Sequence, residues 1–237
     1  MNGLDLLINN HNQDNTRLYG VTVGIVTNNQ DPKKEGRVKL KFPYLSNAEE
    51  SSWSRVLTPM AGNDRGIYFL PEVDDEVLVA FEHGDIHFPY ILGALWNGQD
   101  KPPGKNDDGK NNQRIIKSRS GHQIILDDTD GEEQIIIQDK TGKNKIVFNS
   151  KENNMNIQVE KDLTIATKGK IILKSSDNDI SLECKNLQIK TQENYQLTAG
   201  KNCIIQANQK YELEAKSGLE IKCAAGVKVN DGALEVM

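Results

Sequence analysis

The sequence predicts an all-β chain in two parts: a small closed barrel, then a long repetitive β-structure that one copy cannot complete. Three observations carry this. Short apolar-alternating segments separated by Gly and Pro fill residues 19–97. A polar stretch, 98–113, holds no apolar side chain beyond its prolines. From Met155 onward, apolar residues recur every eight positions.

Residues 1–18 are Asn-rich and hold one apolar cluster, Leu4, Leu6, Leu7 and Ile8. A short tail of this kind orders only against a partner. Residues 19–97 read as strands at 19–27, 36–42, 53–57, 66–69, 76–81 and 90–95. Asp31-Pro32 and Gly36 mark the first turn. Val38, Leu40 and Phe42 alternate with Arg37, Lys39 and Lys41, the pattern of a half-buried strand. Six short strands with Gly/Pro punctuation suit a small Greek-key barrel of the OB type. Barrels of that type often bind nucleic acid or sugar through aromatics on a basic groove. A net charge of −5 argues against nucleic acid, and Trp53 and Trp96 belong to no aromatic cluster, so packing is their expected role. His83 and His87 flank Gly84-Asp85 in a loop, which is poor metal spacing. Glu72, Asp74, Asp75 and Glu76 read as a solvated turn.

Residues 98–113 are expected to act as a linker. Residues 114–154 then form wider strands. The pairs Ile124/Leu126, Ile135/Ile137 and Ile146/Phe148 are eleven apart, and Met155/Ile157 lie nine further on. The acidic turn at 127–133 lacks EF-hand spacing and reads as solvated. His122, after Gly121, is expected to pack or hydrogen-bond rather than catalyse.

Residues 155–237 carry the repeat of eight. Met155, Leu163 and Ile171 start one column; Ile157, Ile165 and Leu173 start the next. After a one-residue slip at Ile180 and Leu182 the columns resume. One reads Leu187, Tyr195, Cys203, Tyr211, Leu219, Val227, and the other Ile189, Leu197, Ile205, Leu213, Ile221, Val229. Small residues (Thr191, Ala199, Ala207, Ala215 and Cys223) form a third. Each unit is five alternating residues followed by a polar triplet such as Gly200-Lys201-Asn202. Five residues at ~3.3 Å span only ~17 Å, so a single chain becomes a narrow ribbon with an exposed apolar stripe. Three chains about one axis bury all the columns. The expectation is an intertwined homotrimeric triple-stranded β-helix, with the two long columns as its core and Cys203 and Cys223 as buried thiols.

The segments Y-G-V-T-V-G-I-V-T-N-N-Q-D-P-K-K-E-G-R-V-K-L-K-F-P (19–43), W-S-R-V (53–56), F-L-P-E-V-D-D-E-V-L-V-A-F (69–81) and P-Y-I-L-G-A-L-W-N-G (89–98) resemble the VgrG and phage baseplate assembly protein V family. K-S-R-S-G-H-Q-I-I-L-D-D-T-D-G-E-E (117–133) is similar to the neck of those spikes. The resemblance implies the trimeric central spike of a contractile phage tail, a type VI secretion system or a related particle. Such a spike sits in a virion baseplate or in an injection particle assembled in the cytoplasm, and touches the target membrane transiently. It implies neither enzyme activity nor cofactor. Eighteen residues before the barrel cannot hold the large hub domain many VgrG proteins carry. The hub is therefore expected to be a separate polypeptide, docked through Leu4, Leu6, Leu7 and Ile8. The linker is too short for the lysozyme domain of some phage spikes, and no His follows His122 to make an H-x-H iron site. A PAAR-like tip protein is expected to cap Val227, Val229, Leu234 and Val236. The competing reading is a β-helix that binds or cleaves polysaccharide, with Glu212 and Glu220 as an acid/base pair. It is opposed by the missing aromatic platform.

Overall fold

The computed structural model of the chain describes residues 17–44 and 50–226. Residues 1–166 and 167–237 form two compact units, taken separately below.

In the first unit, five strands close a barrel in the order β1-β2-β3-β7-β6: β1 (Val21–Asn28), β2 (Arg37–Lys41), β3 (Ser54–Val56), β6 (Glu76–Phe81) and β7 (Pro89–Ala94). β3 and β7 run parallel; the remaining pairs, including the closing β1–β6 pair, are antiparallel. This is a five-stranded Greek-key barrel of the OB kind. Alternation fills it. Val26, Val38, Leu40, Val77, Val79 and Ile91 are fully buried, and Phe42 stacks at a tilt on Phe81 with centroids 5.5 Å apart. Gly24 is required by a close approach: a Cβ there would lie 3.2 Å from Val79 Cγ2 and 3.4 Å from the Phe42 ring. The first turn is built on Asp31, whose carboxylate accepts from the backbone N–H of Lys33 (3.0 Å) and Glu35 (2.8 Å). Arg37 grips the same carboxylate with Nε at 3.0 Å and a terminal nitrogen at 2.8 Å.

The expected strand at 66–69 does not form. Two residues each of β4 (Ala61–Gly62) and β5 (Arg65–Gly66) make a small hairpin, after which Ile67, Tyr68 and Phe69 run on as an exposed arm. An apolar run alone cannot distinguish a buried strand from such an arm. The acidic stretch is a pinned turn rather than a merely solvated one. Asp74 N–H donates to Val26 O (2.8 Å), Val26 N–H to Asp75 O (3.0 Å), and Glu72 pairs with Arg119 at 2.9 Å. Trp96 is 69% exposed, so it is no core residue of this chain, while Trp53 lies beneath the Lys39 ammonium at 5.6 Å.

Residues 98–112 are not a free linker. Asn97 Oδ1 accepts from Gln99 and Asp100, Asn106 Oδ1 from Asn111, and Asn112 O from Asp128 N–H. They lead into a five-stranded antiparallel meander, in sheet order β12-β11-β10-β9-β8. Its strands are β8 (Gln113–Lys117), β9 (Gln123–Asp127), β10 (Gln134–Gln138), β11 (Lys145–Asn149) and β12 (Asn154–Gln158).

In the second unit the described residues contain no strand pairing within the chain. The backbone bends at 160–161, 168–169, 176–178, 185, 192–193, 200–201, 208–209 and 216–217, close to every eight residues across the end of the first unit and the whole described second unit. The bend at 176–178 is longer and the next falls one residue late, so the intervening segment with Ile180 and Leu182 is displaced by one.

Replacing Leu40, which is fully buried, with Ala should cost about 3 kcal/mol of barrel stability. Guanidinium unfolding of the full chain followed by Trp fluorescence would measure it. A loss below about 1 kcal/mol would mean that Leu40 is not a core residue.

Candidate functional site

Two apolar surfaces dominate the described residues, and both arise from alternation in extended backbone. In the meander the hydrogen-bonded register aligns Ile116, Ile124, Ile137, Ile146 and Ile157 in one row. A second row aligns Arg114, Leu126, Ile135, Phe148 and Met155. These rows share one face, since their members are two residues apart along each strand. The opposite face carries Ile115, Ile125, Ile136 and Val147 in its middle row, flanked by Gln113, Asp127, Gln134, Asn149, Gln123, Gln138 and Lys145. The burial is inverted. Ile124 and Ile137 on the more apolar face are 43% and 45% exposed, whereas Ile125 and Ile136 on the mixed face are half-buried.

The second surface is the ribbon. Leu187, Ile189, Tyr195, Leu197, Ile205, Tyr211, Leu213, Leu219 and Ile221 are all exposed, Ile205 by 62%, and Cys203 is exposed with them. Val227 and Val229 lie outside the described residues, as do Leu234, Val236, Leu4, Leu6, Leu7 and Ile8. The ion pairs Lys210–Glu212 (2.8 Å) and Lys222–Glu220 (2.9 Å) occupy the alternate positions, opposite the apolar columns. Exposed pairs of this kind contribute at most about 1 kcal/mol, so they mark a solvent face rather than hold a fold. Glu212 and Glu220 are thus engaged by neighbouring lysines instead of facing each other across a cleft.

The titratable groups are spent on turns. Asp139 accepts from Thr141 Oγ1 (2.8 Å) and Asn144 Nδ2 (2.7 Å), and these bonds hold its carboxyl down to about 2. Asp127 is lowered in the same way by Thr129 and Gln113. The acidic turn after β9 thereby uses its first carboxylate internally. Asp31 is pulled far below the usual carboxylate range by Arg37. On the barrel surface Tyr90 donates to Glu82 at 2.8 Å, and that bond raises the phenol above its ordinary value. His83 forms a tight turn at φ 50°, His87 N–H donates to Asp85 Oδ1, and His122 closes the β8–β9 turn through its backbone N–H and C=O. No cluster of three or more His, Cys, Asp or Glu among the described residues is arranged to hold a metal. Cys184, Cys203 and Cys223 are free thiols, and Cys223 Sγ donates to Gly226 O at 3.0 Å.

The spacing of eight marks the ribbon columns in the sequence as expected interaction residues, whereas the meander face shows there only as apolar pairs. Its spacing of eleven was the available signal. The exposed arm of Met60, Ile67, Tyr68 and Phe69 carries no periodicity and gives no such signal.

Among the described residues, a closed OB barrel is followed by β-structure whose apolar faces are open to solvent. Residues 22–96, β1 to the end of β7, match the family described as the type VI secretion system/phage-baseplate injector OB domain. The chain is 38% identical over 74 residues to the actin cross-linking toxin VgrG1 of Vibrio cholerae, covering 30% of this chain and 7% of that protein. It is 38% identical over 72 residues to the type VI secretion system spike protein VgrG3 of the same species, covering 29% and 7%. A longer alignment, 141 residues at 30% identity, links it to the spike protein VgrG1b of Pseudomonas aeruginosa and covers 54% and 17%. The barrel of this chain is thus similar to the injector OB domain of type VI secretion systems and phage baseplates, and the relatives it resembles are VgrG proteins. It spans less than a fifth of the length of these relatives.

The Asp139 turn sets a pH dependence. Its folded value of about 2 lies below the ordinary 3.8, so its contribution is complete above about pH 4 and is lost as pH falls towards 2. Asp139→Asn should therefore melt at a lower temperature than the wild type at pH 6, with the gap closing between pH 4 and pH 2. A gap independent of pH would show that this carboxylate does not tie the turn.

Proposed function

We propose that this chain is the central spike of a contractile phage tail or type VI-like injection machine, working as a homotrimer. One observation carries the reading: the eight-residue ribbon exposes its whole apolar stripe and has no ladder partner of its own among the described residues. Extended backbone with unpaired N–H and C=O groups and a greasy face is stable only when other chains supply both bonds and cover. Three copies around an axis provide both at once, with Leu187, Ile189, Tyr195, Leu197, Cys203, Ile205, Tyr211, Leu213, Leu219, Ile221, Val227 and Val229 in the core.

The mechanism is mechanical. Every ladder bond of such a prism runs between chains, so unfolding requires separating three polypeptides, which sets a high kinetic barrier. Force from a contracting sheath then passes along the prism into the target envelope. The Lys, Glu, Asn and Gln of the outer face keep the needle from adhering in transit. A hub on the N-terminal side, contacted by Leu4 to Ile8, and a PAAR-like cap at the far end, seated on Val227 to Val236, complete the reading. No reaction is assigned to the chain.

Native mass spectrometry should give three times the 26.5 kDa chain mass. Ile205→Asp would set three carboxylates on the axis, where desolvation costs several kcal/mol per charge. It should lower the melting temperature by more than about 10 °C. Ile204→Asp, one residue away on the solvent face, should change it by less than about 2 °C. Equal effects at the two positions would refute the inward columns, and a stable wild-type monomer would refute the trimer.

A further inference from the structure

We propose that the apolar face of the meander is a homotypic interface that sets the register of the ribbon, so that assembly begins there and proceeds towards the C-terminus. The inference rests on the trimeric reading above.

Beyond the one-residue displacement at Ile180 and Leu182, the strict repeat from Leu187 to Ile221 cannot choose its own register. Sliding one copy by eight residues sets Leu197 where Ile205 was and Ile205 where Leu213 was, and the column Ile189 to Ile221 scarcely registers the change. Only one repeat at the end is lost. Weakly specified registers of this sort slip, so a non-repeating element must fix which residue meets which. The meander qualifies on three counts.

Its five strands are already hydrogen-bonded within one chain over full five-residue registers, so each copy arrives with this sheet pre-ordered. Its turns, at 118–122, 128–133, 139–144 and 150–153, are five, six, six and four residues long and all differ in sequence, so no shifted alignment reproduces the whole surface. Its apolar face carries Ile116, Ile124, Leu126, Ile135, Ile137 and Phe148, and its only charged member, Arg114, is drawn to Asn111 O, Asn112 O and Asp128 at the sheet edge.

The chemistry of that face selects the occupant. A charged or peptide-like partner would find nothing to pair with. Met155 and Ile157 of β12 close the two apolar rows and are also the first members of the eight-residue columns that continue at Leu163 and Ile165. The same apolar pattern runs from meander to ribbon in sequence, and the partner that carries a matching apolar face is a second copy of this chain. Once three sheets have met, residue 158 is fixed in every copy before the ambiguous repeats begin to braid.

The test is refolding of the full-length chain from guanidinium, with trimer recovery followed by size and mass. Two substitutions in β10 differ only in face: Ile137→Glu on the apolar rows and Ile136→Glu on the mixed face. The expected result is at least a tenfold slower recovery for Ile137→Glu, against a change of less than threefold for Ile136→Glu. The Ile137→Glu trimers that do form should contain slipped copies, seen as fast amide exchange in the last described repeat, 217–224. Wild-type recovery and exchange in Ile137→Glu would overturn the inference while leaving the trimer standing. Equal losses from both variants would also overturn it, by tracing the defect to the folding of the sheet itself. A wild-type chain that refolds as a monomer would remove the trimeric reading and this inference with it.

Discussion

The structure depends on where the backbone of an extended chain finds its hydrogen bonds. Each N–H and C=O held away from water needs a partner, and the three β-regions of this chain meet that need to different degrees. The barrel meets it fully, because β1 pairs with β6 and no edge remains. The meander meets it along its inner strands but leaves β8 and β12 as edges and one face uncovered. The ribbon does not meet it within one chain among the described residues. Self-sufficiency thus falls along the sequence among the described residues, which is the gradient the proposed trimer would meet.

The difference was written into the residue pattern to the extent that side chains alone report it. Alternation with period two is a property of the strand, so Val38, Leu40 and Phe42 announced a core strand, and the buried set agrees. Residues 77–81 are apolar throughout, and only the structure shows that Val77, Val79 and Phe81 are the ones buried. The repeat of eight was legible because bends recur with it, including the local displacement around Ile180 and Leu182. What the pattern could not report is partnership. Ile67, Tyr68 and Phe69 look as apolar as a core strand, yet they extend from the small β4–β5 hairpin with their side chains in solvent. The stretch after Asn97 looked featureless because its order comes from Asn side chains accepting local N–H bonds, which leave no hydrophobic trace.

The candidate interaction residues divide in the same way. The ribbon columns stand out in the sequence because eight is a short, nearly strict period. The meander face was seen only as pairs eleven residues apart, since hairpin register depends on the turns and not on spacing alone. Once the ladder aligns Ile124 with Ile137 and Leu126 with Ile135, the pairs become a surface. Single-chain exposure then marks it, because the face richest in Ile, Leu and Phe is more open to solvent than the face carrying Gln, Asp and Lys. A monomeric sheet selected for solubility would show the reverse.

Inverted exposure in the meander and a missing ladder in the ribbon are two symptoms of one design. A needle that transmits force gains from having few bonds that break within one chain, because a local opening then requires three copies to yield together. The cost of that arrangement is specificity: the more uniform the repeat, the less it says about alignment. In the proposed assembly, an irregular, pre-paired sheet upstream would supply the missing information without interrupting the uniform stretch. On the proposed assembly, the order of closed barrel, half-finished sheet and unfinished ribbon would let each copy fold as far as it can alone, so that the least determined segment is committed last.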